Sequence, residues 1–174
     1  MTEKIVYFTP YKVSTITCNA NIGENLFINL SVLYNNINPI LENNNIIWIQ
    51  NSSDECKGVN PKKIRKSKKD KKKKTRFDNQ ITILYQFDKT YRPNIKIFKN
   101  GNIQLTGINK VESDVDEIAN HIINKIKNIY EIDNKINLNY ETENKNEFLN
   151  KLNYGNFKIT MINTDFKTYC DPDL

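Results

Sequence analysis

The side chains best suited to binding chemistry in this sequence form a cationic run between Lys62 and Arg76. Eleven residues of the run are Lys or Arg and one, Asp70, is acidic. Such a run cannot bury a core, so we expect a disordered loop that attracts polyanions by counterion release. The same composition is typical of a nuclear signal or a solvated loop. The cations are Lys62, Lys63, Arg65, Lys66, Lys68, Lys69, Lys71, Lys72, Lys73, Lys74 and Arg76.

The other reactive residues do not form a catalytic or metal-binding pattern. Cys18, Cys56 and Cys170 lie far apart and lack zinc-ligand spacing, which favours reduced thiols in a cytosolic or nuclear setting. His121 is expected to be structural. The sequence has no Gly-rich phosphate loop and no plausible nucleophile–base pair, so it predicts a protein that is not an enzyme and needs no cofactor. No apolar run approaches the length of a membrane span, and we expect a soluble, intracellular chain.

The charge is unevenly distributed along the chain. The whole sequence carries +6 at pH 7, while the cationic run alone has ten more positive than negative charges, which leaves −4 for the remainder. The basicity is therefore a property of one segment, and the body is mildly acidic.

Two strands with a tight turn between them form the strongest structural pattern. Apolar and polar residues alternate on both sides of Asn100-Gly101, the dipeptide most typical of a β-hairpin. The apolar face carries Ile95, Ile97, Ile103 and Leu105, and the other face carries Lys96, Phe98, Gln104 and Thr106.

A long amphipathic helix is predicted directly after the hairpin. Ser113 is the expected N-cap, Asp116 its capping partner, and Asp114 and Glu117 are expected in the first turn. The apolar stripe contains Val115, Ile118, Ala119, Ile122, Ile126 and Ile129. This stripe would cover one face of the sheet, which leaves the other face open.

Further elements are predicted upstream. Residues 13–22 alternate as a half-buried strand, with Thr15, Thr17, Asn19 and Asn21 on its outer face. Residues 30–37 have helical spacing, and 46–50 form a short strand or a buried connector. Residues 80–87 alternate again, and their outer face carries Thr82 and Leu84.

These elements predict an α+β domain, with an antiparallel sheet covered by helices on one face. We expect a leader at residues 1–12, although its apolar residues could add an edge strand. The main unit spans 13–130 and includes a disordered basic insertion at 51–76. Residues 131–156 are expected to be a polar linker, with room for a helical turn around Phe148–Leu152, and 157–174 begin with one more strand.

The order of elements resembles one repeat of the TATA-box-binding protein (TBP) family. The hairpin has the family's pattern without a gap: Phe98-Lys99-Asn100-Gly101-Asn102-Ile103-Gln104-Leu105-Thr106-Gly107. Ala20-Asn21-Ile22-Gly23 is similar to the family's first strand, and Phe157-Lys158-Ile159 to the start of a second repeat. The basic insertion is similar to that of TBP-like proteins of large nucleocytoplasmic DNA viruses.

The resemblance implies a curved sheet whose concave face binds the minor groove of DNA. Two phenylalanines per repeat wedge into a base step in this family. Phe98 matches one of them, and Phe77 matches the other by its Arg-Phe context, although the spacing between them is longer here. The predicted DNA-binding residues are Phe98, Phe77, Lys96, Gln104, Thr106, Thr15, Thr17, Asn19, Thr82 and Leu84.

The implied function is a viral transcription initiation factor that binds and bends AT-rich promoter DNA. Its helical face would dock transcription factors or RNA polymerase subunits. The expected location is the infected host cell, in a cytoplasmic viral factory or the nucleus, or the virion. Either the native chain continues into a second repeat, or a homodimer completes the sheet. One alternative is a protein-interaction module that has lost specific DNA bending, and another is an RNA-binding or nuclease-associated platform.

Overall fold

The computed structural model describes residues 6–23, 27–39, 45–61, 79–133, 149–150, 152–155 and 157–170. Their elements follow in the order β1 (Val6–Phe8), β2 (Lys12–Asn21), α1 (Leu30–Asn36), β3 (Ile46–Gln50), β4 (Cys56–Gly58), β5 (Gln80–Tyr85), β6 (Asn94–Phe98), β7 (Asn102–Ile108), α2 (Val111–Asp133), β8 (Lys158–Asp165) and β9 (Thr168–Cys170). No helix among these residues is long and apolar enough to cross a membrane.

Seven of these strands form one antiparallel sheet in the order β4-β3-β5-β6-β7-β2-β8. Strands β1 and β9 form a separate pair. The predicted α+β class, with strands alternating between a helix-covered face and a second face, is confirmed.

The core lies between one face of the sheet and both helices. In β6, Ile95 and Ile97 are fully buried, and Ile103 and Leu105 of β7 lie beside them. All six residues of the predicted helical stripe are buried against these strands. Each large apolar side chain taken from water in this way contributes about 1.5–3 kcal/mol, so the alternating pattern itself fixes which face receives the helices.

The hairpin turn forms where the sequence predicts it. Lys99, Asn100 and Gly101 connect β6 to β7, and the Gly101 N–H donates to the Phe98 carbonyl at 3.1 Å. Gly101 has a φ of +79°, which a side chain at this position would disfavour. A three-residue loop with glycine in the left-handed region is a common hairpin connection.

The predicted start of α2 is wrong by two residues. The helix begins at Val111, and Ser113 is not its N-cap. The side chain that ties this end is the buried Asp114, whose Oδ2 accepts hydrogen bonds from the Lys110 N–H at 2.8 Å and from the Tyr91 hydroxyl. Tyr91 is far away in sequence, so a local capping pattern could not reveal this arrangement.

The other two acids predicted in the first turn also have specific partners. Asp116 accepts a hydrogen bond from Tyr154, and the Oε1 atom of Glu117 accepts one from Tyr85 at 3.2 Å. The Nδ1 atom of His121 lies 3.2 Å from the same Tyr85 hydroxyl. These hydrogen bonds connect α2 to Tyr85 of β5 and to Tyr154. The contact of His121 with Tyr85 agrees with a structural role for His121.

The predicted disordered insertion at 51–76 is wrong in its first part. Residues 51–61 form a turn and β4, which pairs with β3. The Lys57 ammonium donates to the carbonyls of Tyr34 and Asn35 at 2.8 and 3.0 Å, at the end of α1. Burial lowers the pKa of Lys57, and its Nζ lies 4.5 Å from the centre of the Tyr34 ring.

The predicted linker at 131–156 is wrong at its start and in the burial of Leu152, whereas residues 149–150 are helical, as predicted for the turn within it. Helix α2 continues to Asp133, and Leu152 is 3 % exposed within the core. The Gly155 N–H donates to the Asn21 carbonyl at 2.8 Å, next to the end of β2. The rest of the predicted linker, residues 134–148, lies outside the described residues.

The two ends of the described chain meet in the small sheet. Residues 6–8 of the predicted leader pair with β9, so the expected extra strand forms at a place other than the main sheet. Strand β8 adds a seventh strand to the main sheet by pairing with β2, and all its side chains are exposed. Its identity as the first strand of a second repeat stays a prediction.

Candidate nucleic-acid interface

One row of side chains crosses the open face of the sheet, which is the face away from the helices. Directly paired residues of an antiparallel ladder point to the same side, so the strand register defines this polar row. It contains Lys158, Asn19, Gln104, Lys96, Thr82, Gln50 and Cys56. No member is acidic, and four of them are predicted DNA-binding residues.

A neighbouring row on the same face is closed to solvent at three of its seven positions, Thr17, Leu84 and Trp48. This second row contains Met161, Thr17, Thr106, Asn94, Leu84, Trp48 and Gly58. Leu84 is 1 % exposed and Trp48 4 %, yet neither belongs to the core cluster under the helices. The predicted exposure of Leu84 on the open face is therefore wrong, because Leu84 pairs with Trp48 in an apolar patch of its own.

The first strand departs from simple alternation near its middle. A bulge between Ile16 and Thr17 shifts the pairing of β2 with β7. Thr17 is 4 % exposed, so its predicted exposure is also wrong, and its hydroxyl has no hydrogen-bond partner within the described part of the chain. Thr15 is half-buried and pairs with Asn163 of β8.

Phe98 lies at the hairpin end of the open face. It is half-buried, pairs with Gln80 of β5 and alternates with the buried Ile97. Beside it is a pocket of about 540 Å³. The pocket is lined by Asn19, Ala20, Asn21, Asn79, Phe98, Lys99, Asn100, Asn102, Ile103 and Gln104. The open face is thus accessible around β2, β6 and β7, and closed around Trp48 and Leu84.

The remaining predicted site residues fall into two groups. Lys96, Thr82, Gln104 and Thr106 are all half-buried on the open face, as their alternation predicts. Phe77 and all the cations from Lys62 to Arg76 lie outside the described residues.

Sequence reasoning missed several polar members of this face. Gln50 and Asn94 continue the two rows, and Asn102 lines the pocket together with Asn21, which the alternation had already placed on the outer face. The alternation of polar and apolar residues could have placed Asn94 and Asn102 on this face, since each begins a strand of the predicted hairpin. Gln50 could not be placed, because one of its partner strands, β4, lies in the segment predicted to be disordered and the other, β5, follows the basic run.

The groups with shifted pKa values cluster on the helix side. Burial raises the pKa of Tyr85 to about 12, and the nearby Glu117 carboxylate acts in the same direction. Burial and the Asp114 carboxylate raise the pKa of Tyr91 well above its usual range. Both phenols serve as hydrogen-bonded ties between sheet and helix. The described residues contain no group of three or more His, Cys, Asp or Glu side chains placed to hold a metal ion.

The comparison with known proteins points in the same direction as the hairpin pattern. The chain is 31 % identical over 163 residues to the TATA-box-binding protein-like protein of Acanthamoeba polyphaga mimivirus. The alignment covers 90 % of this chain and 41 % of the viral protein, so the chain spans about two fifths of the length of this relative. No family model matches the chain, and no solved structure matches it. The chain therefore has a TBP-like relative in a virus.

Proposed function

We propose that this chain is a TBP-like transcription factor that binds and bends double-stranded, AT-rich promoter DNA through its open face. The observation that carries the proposal is the polar row, which crosses all seven strands without an acidic residue. Its uncharged amide and hydroxyl groups, on Asn19, Gln104 and Thr82, suit the floor of the minor groove, where hydrogen-bond donors and acceptors are few and degenerate.

Phe98 is the proposed wedge. Minor-groove binders insert apolar side chains between base steps, which costs a few kcal/mol per step and is offset by the larger surface that bent DNA contacts. Phe98 lies at the end of β6 beside the polar row, where an inserted ring would reach the edge of a bound duplex. Lys96 would add a phosphate or base-edge contact within the row.

The proposed contact is small. Trp48 and Leu84 are buried, so the part of the open face around them is not accessible to DNA. The duplex would therefore lie mainly over β2, β6 and β7. A single module of this kind buries about 600–1,000 Å² of protein surface, so we expect weak binding that depends strongly on salt. If the segment from Lys62 to Arg76 makes six phosphate contacts, affinity would fall by about 10³ between about 50 and 200 mM salt.

Protein partners would use the surfaces that DNA leaves free. We propose that the exposed side of α2 docks transcription factors or polymerase subunits in the infected cell. The free edge of β8, the last strand of the sheet, is the proposed place for a second copy of the chain; its side chains Ile159, Met161 and Ile162 are 42–52 % exposed. Sedimentation analysis of the chain and of Met161→Lys would test this: a monomer at all concentrations would exclude the homodimer.

Bending of a labelled duplex tests the central proposal. Fluorescence transfer between dyes at the two ends of an AT-rich duplex should rise on addition of the protein and should rise much less with Phe98→Ala. Phe166→Ala is the matched control, because Phe166 is 57 % exposed and follows the end of β8, outside the strands of the main sheet. Equal bending by both variants would exclude Phe98 as the wedge, and no bending by the unmodified chain would exclude the proposed function.

A further inference from the structure

The pocket beside Phe98 has a composition that duplex binding does not explain. Six of its ten lining residues carry side-chain amides, and none carries a carboxylate. The other four are Ala20 and Ile103, whose side chains belong to the core, Phe98 and Lys99. Its volume of about 540 Å³ lies within the range of pockets that hold small organic groups.

The amides of Asn19 and Gln104 are available to a ligand. Asn21 and Asn102 are already occupied by a hydrogen bond of 2.7 Å between their side chains. Asn19 and Gln104 face each other across β2 and β7, and neither side chain makes a hydrogen bond within the described part of the chain. Each therefore offers a donor and an acceptor at the pocket wall.

An aromatic surface and a cation complete the site. Phe98 is half-buried, so its ring is held by the strand and still presents area to the pocket. Lys99 is exposed at the turn that follows. A flat apolar ring, amides at one edge and a cation at the rim match the base, the hydrogen-bonding edge and the phosphate of a nucleotide.

We propose that this pocket binds an unpaired adenine of single-stranded DNA. The base stacks on Phe98, the amides of Gln104 and Asn19 contact its donor–acceptor edge, and Lys99 contacts the adjoining phosphate. Adenine is the base whose N6 and N7 atoms pair with a side-chain amide through two hydrogen bonds. This activity goes beyond duplex binding, because a base in a duplex cannot enter the pocket.

The test uses two labelled oligonucleotides of equal length with abasic backbones. One carries a single central adenine and the other carries no base, so their phosphate contacts are the same. Fluorescence anisotropy at fixed salt should show that the adenine tightens binding by roughly 5- to 150-fold, the gain typical of stacking one base on an aromatic side chain. A single thymine in the same position should give a smaller gain.

Variants then assign the gain to the pocket. Phe98→Ala and Gln104→Ala should each remove most of the difference between the two oligonucleotides, and Phe98→Leu covers the case in which the alanine variant unfolds. Asn120→Ala is the control, since Asn120 is exposed on α2, outside the proposed interface, and does not line the pocket. It should keep the gain.

The proposal is overturned if the unmodified chain binds both oligonucleotides equally, if thymine exceeds adenine, or if Gln104→Ala keeps the full gain. Duplex bending is measured separately on the same proteins. If the unmodified chain does not bend the duplex but binds the adenine oligonucleotide more tightly than the abasic one, the proposed duplex function is excluded and the pocket assignment stands. If it bends the duplex but binds both oligonucleotides equally, the pocket assignment is excluded and the duplex function stands.

Discussion

The two faces of the central sheet are built from alternate residues of the same strands and have different physical properties. In β6, Ile95 and Ile97 are fully removed from water under the helices, while Lys96 and Phe98 remain half-buried on the open face. The helix side gains its free energy from apolar burial, and the open side retains polar groups that can contact a partner. Substitutions at neighbouring residues of one strand should therefore have different effects: those on the helix side should lower stability, and those on the open side should weaken binding.

The largest effect expected from this comparison is on stability. Ile95→Ala should lower the free energy of unfolding by about 2–5 kcal/mol, because it leaves a cavity in the core. The adjacent Lys96→Ala should change it by less than about 0.5 kcal/mol, since it removes a half-buried polar side chain from the other face. Urea unfolding of both variants measures this, and similar losses would contradict the separation of the faces.

A smaller loss is expected where a phenol ties the helix side together. The Tyr91 hydroxyl donates to Asp114 and accepts the Asn109 N–H at 2.9 Å. Tyr91→Phe should cost about 1–3 kcal/mol, because both partners lose a hydrogen bond in a half-buried site. Tyr11→Phe is the matched control: Tyr11 is 74 % exposed, and its change should be close to zero by the same unfolding measurement.

Alkaline pH should lower the free energy of unfolding through Tyr85, which lies on the helix side of the sheet. The pKa of Tyr85 is raised from 10.0 to about 12, so the unfolded chain loses this proton before the folded chain does. The stability that Tyr85 contributes is present below pH 10 and is lost as the pH rises to about 12. Unfolding followed across this range should show the loss, and Tyr85→Phe should reduce its steepness. An unchanged profile would argue against a buried, neutral Tyr85.

The smallest effect is expected from one charge on the open face. Lys96→Ala should weaken duplex binding and reduce the slope of log affinity against log salt by about 1, the value for one phosphate contact. Lys110→Ala, at the start of α2, should leave the slope unchanged. Anisotropy titrations at several salt concentrations compare the two variants. The same slope for Lys96→Ala and the unmodified chain would remove Lys96 from the proposed interface.

The division into two faces could be predicted from the sequence, because period two in strands and the helical stripe are local patterns. Ile95, Ile97 and the stripe of α2 are buried as their spacing indicates. The hairpin was equally predictable, since Asn100-Gly101 specifies its turn.

Features that depend on distant partners could not be predicted. The start of α2 depends on Tyr91, and the burial of Leu84 depends on Trp48, which pairs with it from a strand on the other side of the basic insertion. The bulge beside Thr17 changes which side chains reach the surface. Pairing between strands that are far apart in the chain therefore decides which parts of the open face stay accessible.

Side-chain amide resonances offer the most direct test that the open face binds DNA. Asn19 and Gln104 lie on that face, whereas Asn120 and Asn124 are exposed on α2 and face away from it. Titration with an AT-rich duplex should shift or broaden the NH₂ signals of Asn19 and Gln104 and leave those of Asn120 and Asn124 unchanged. Shifts at Asn120 and Asn124, with none at Asn19 and Gln104, would contradict the account.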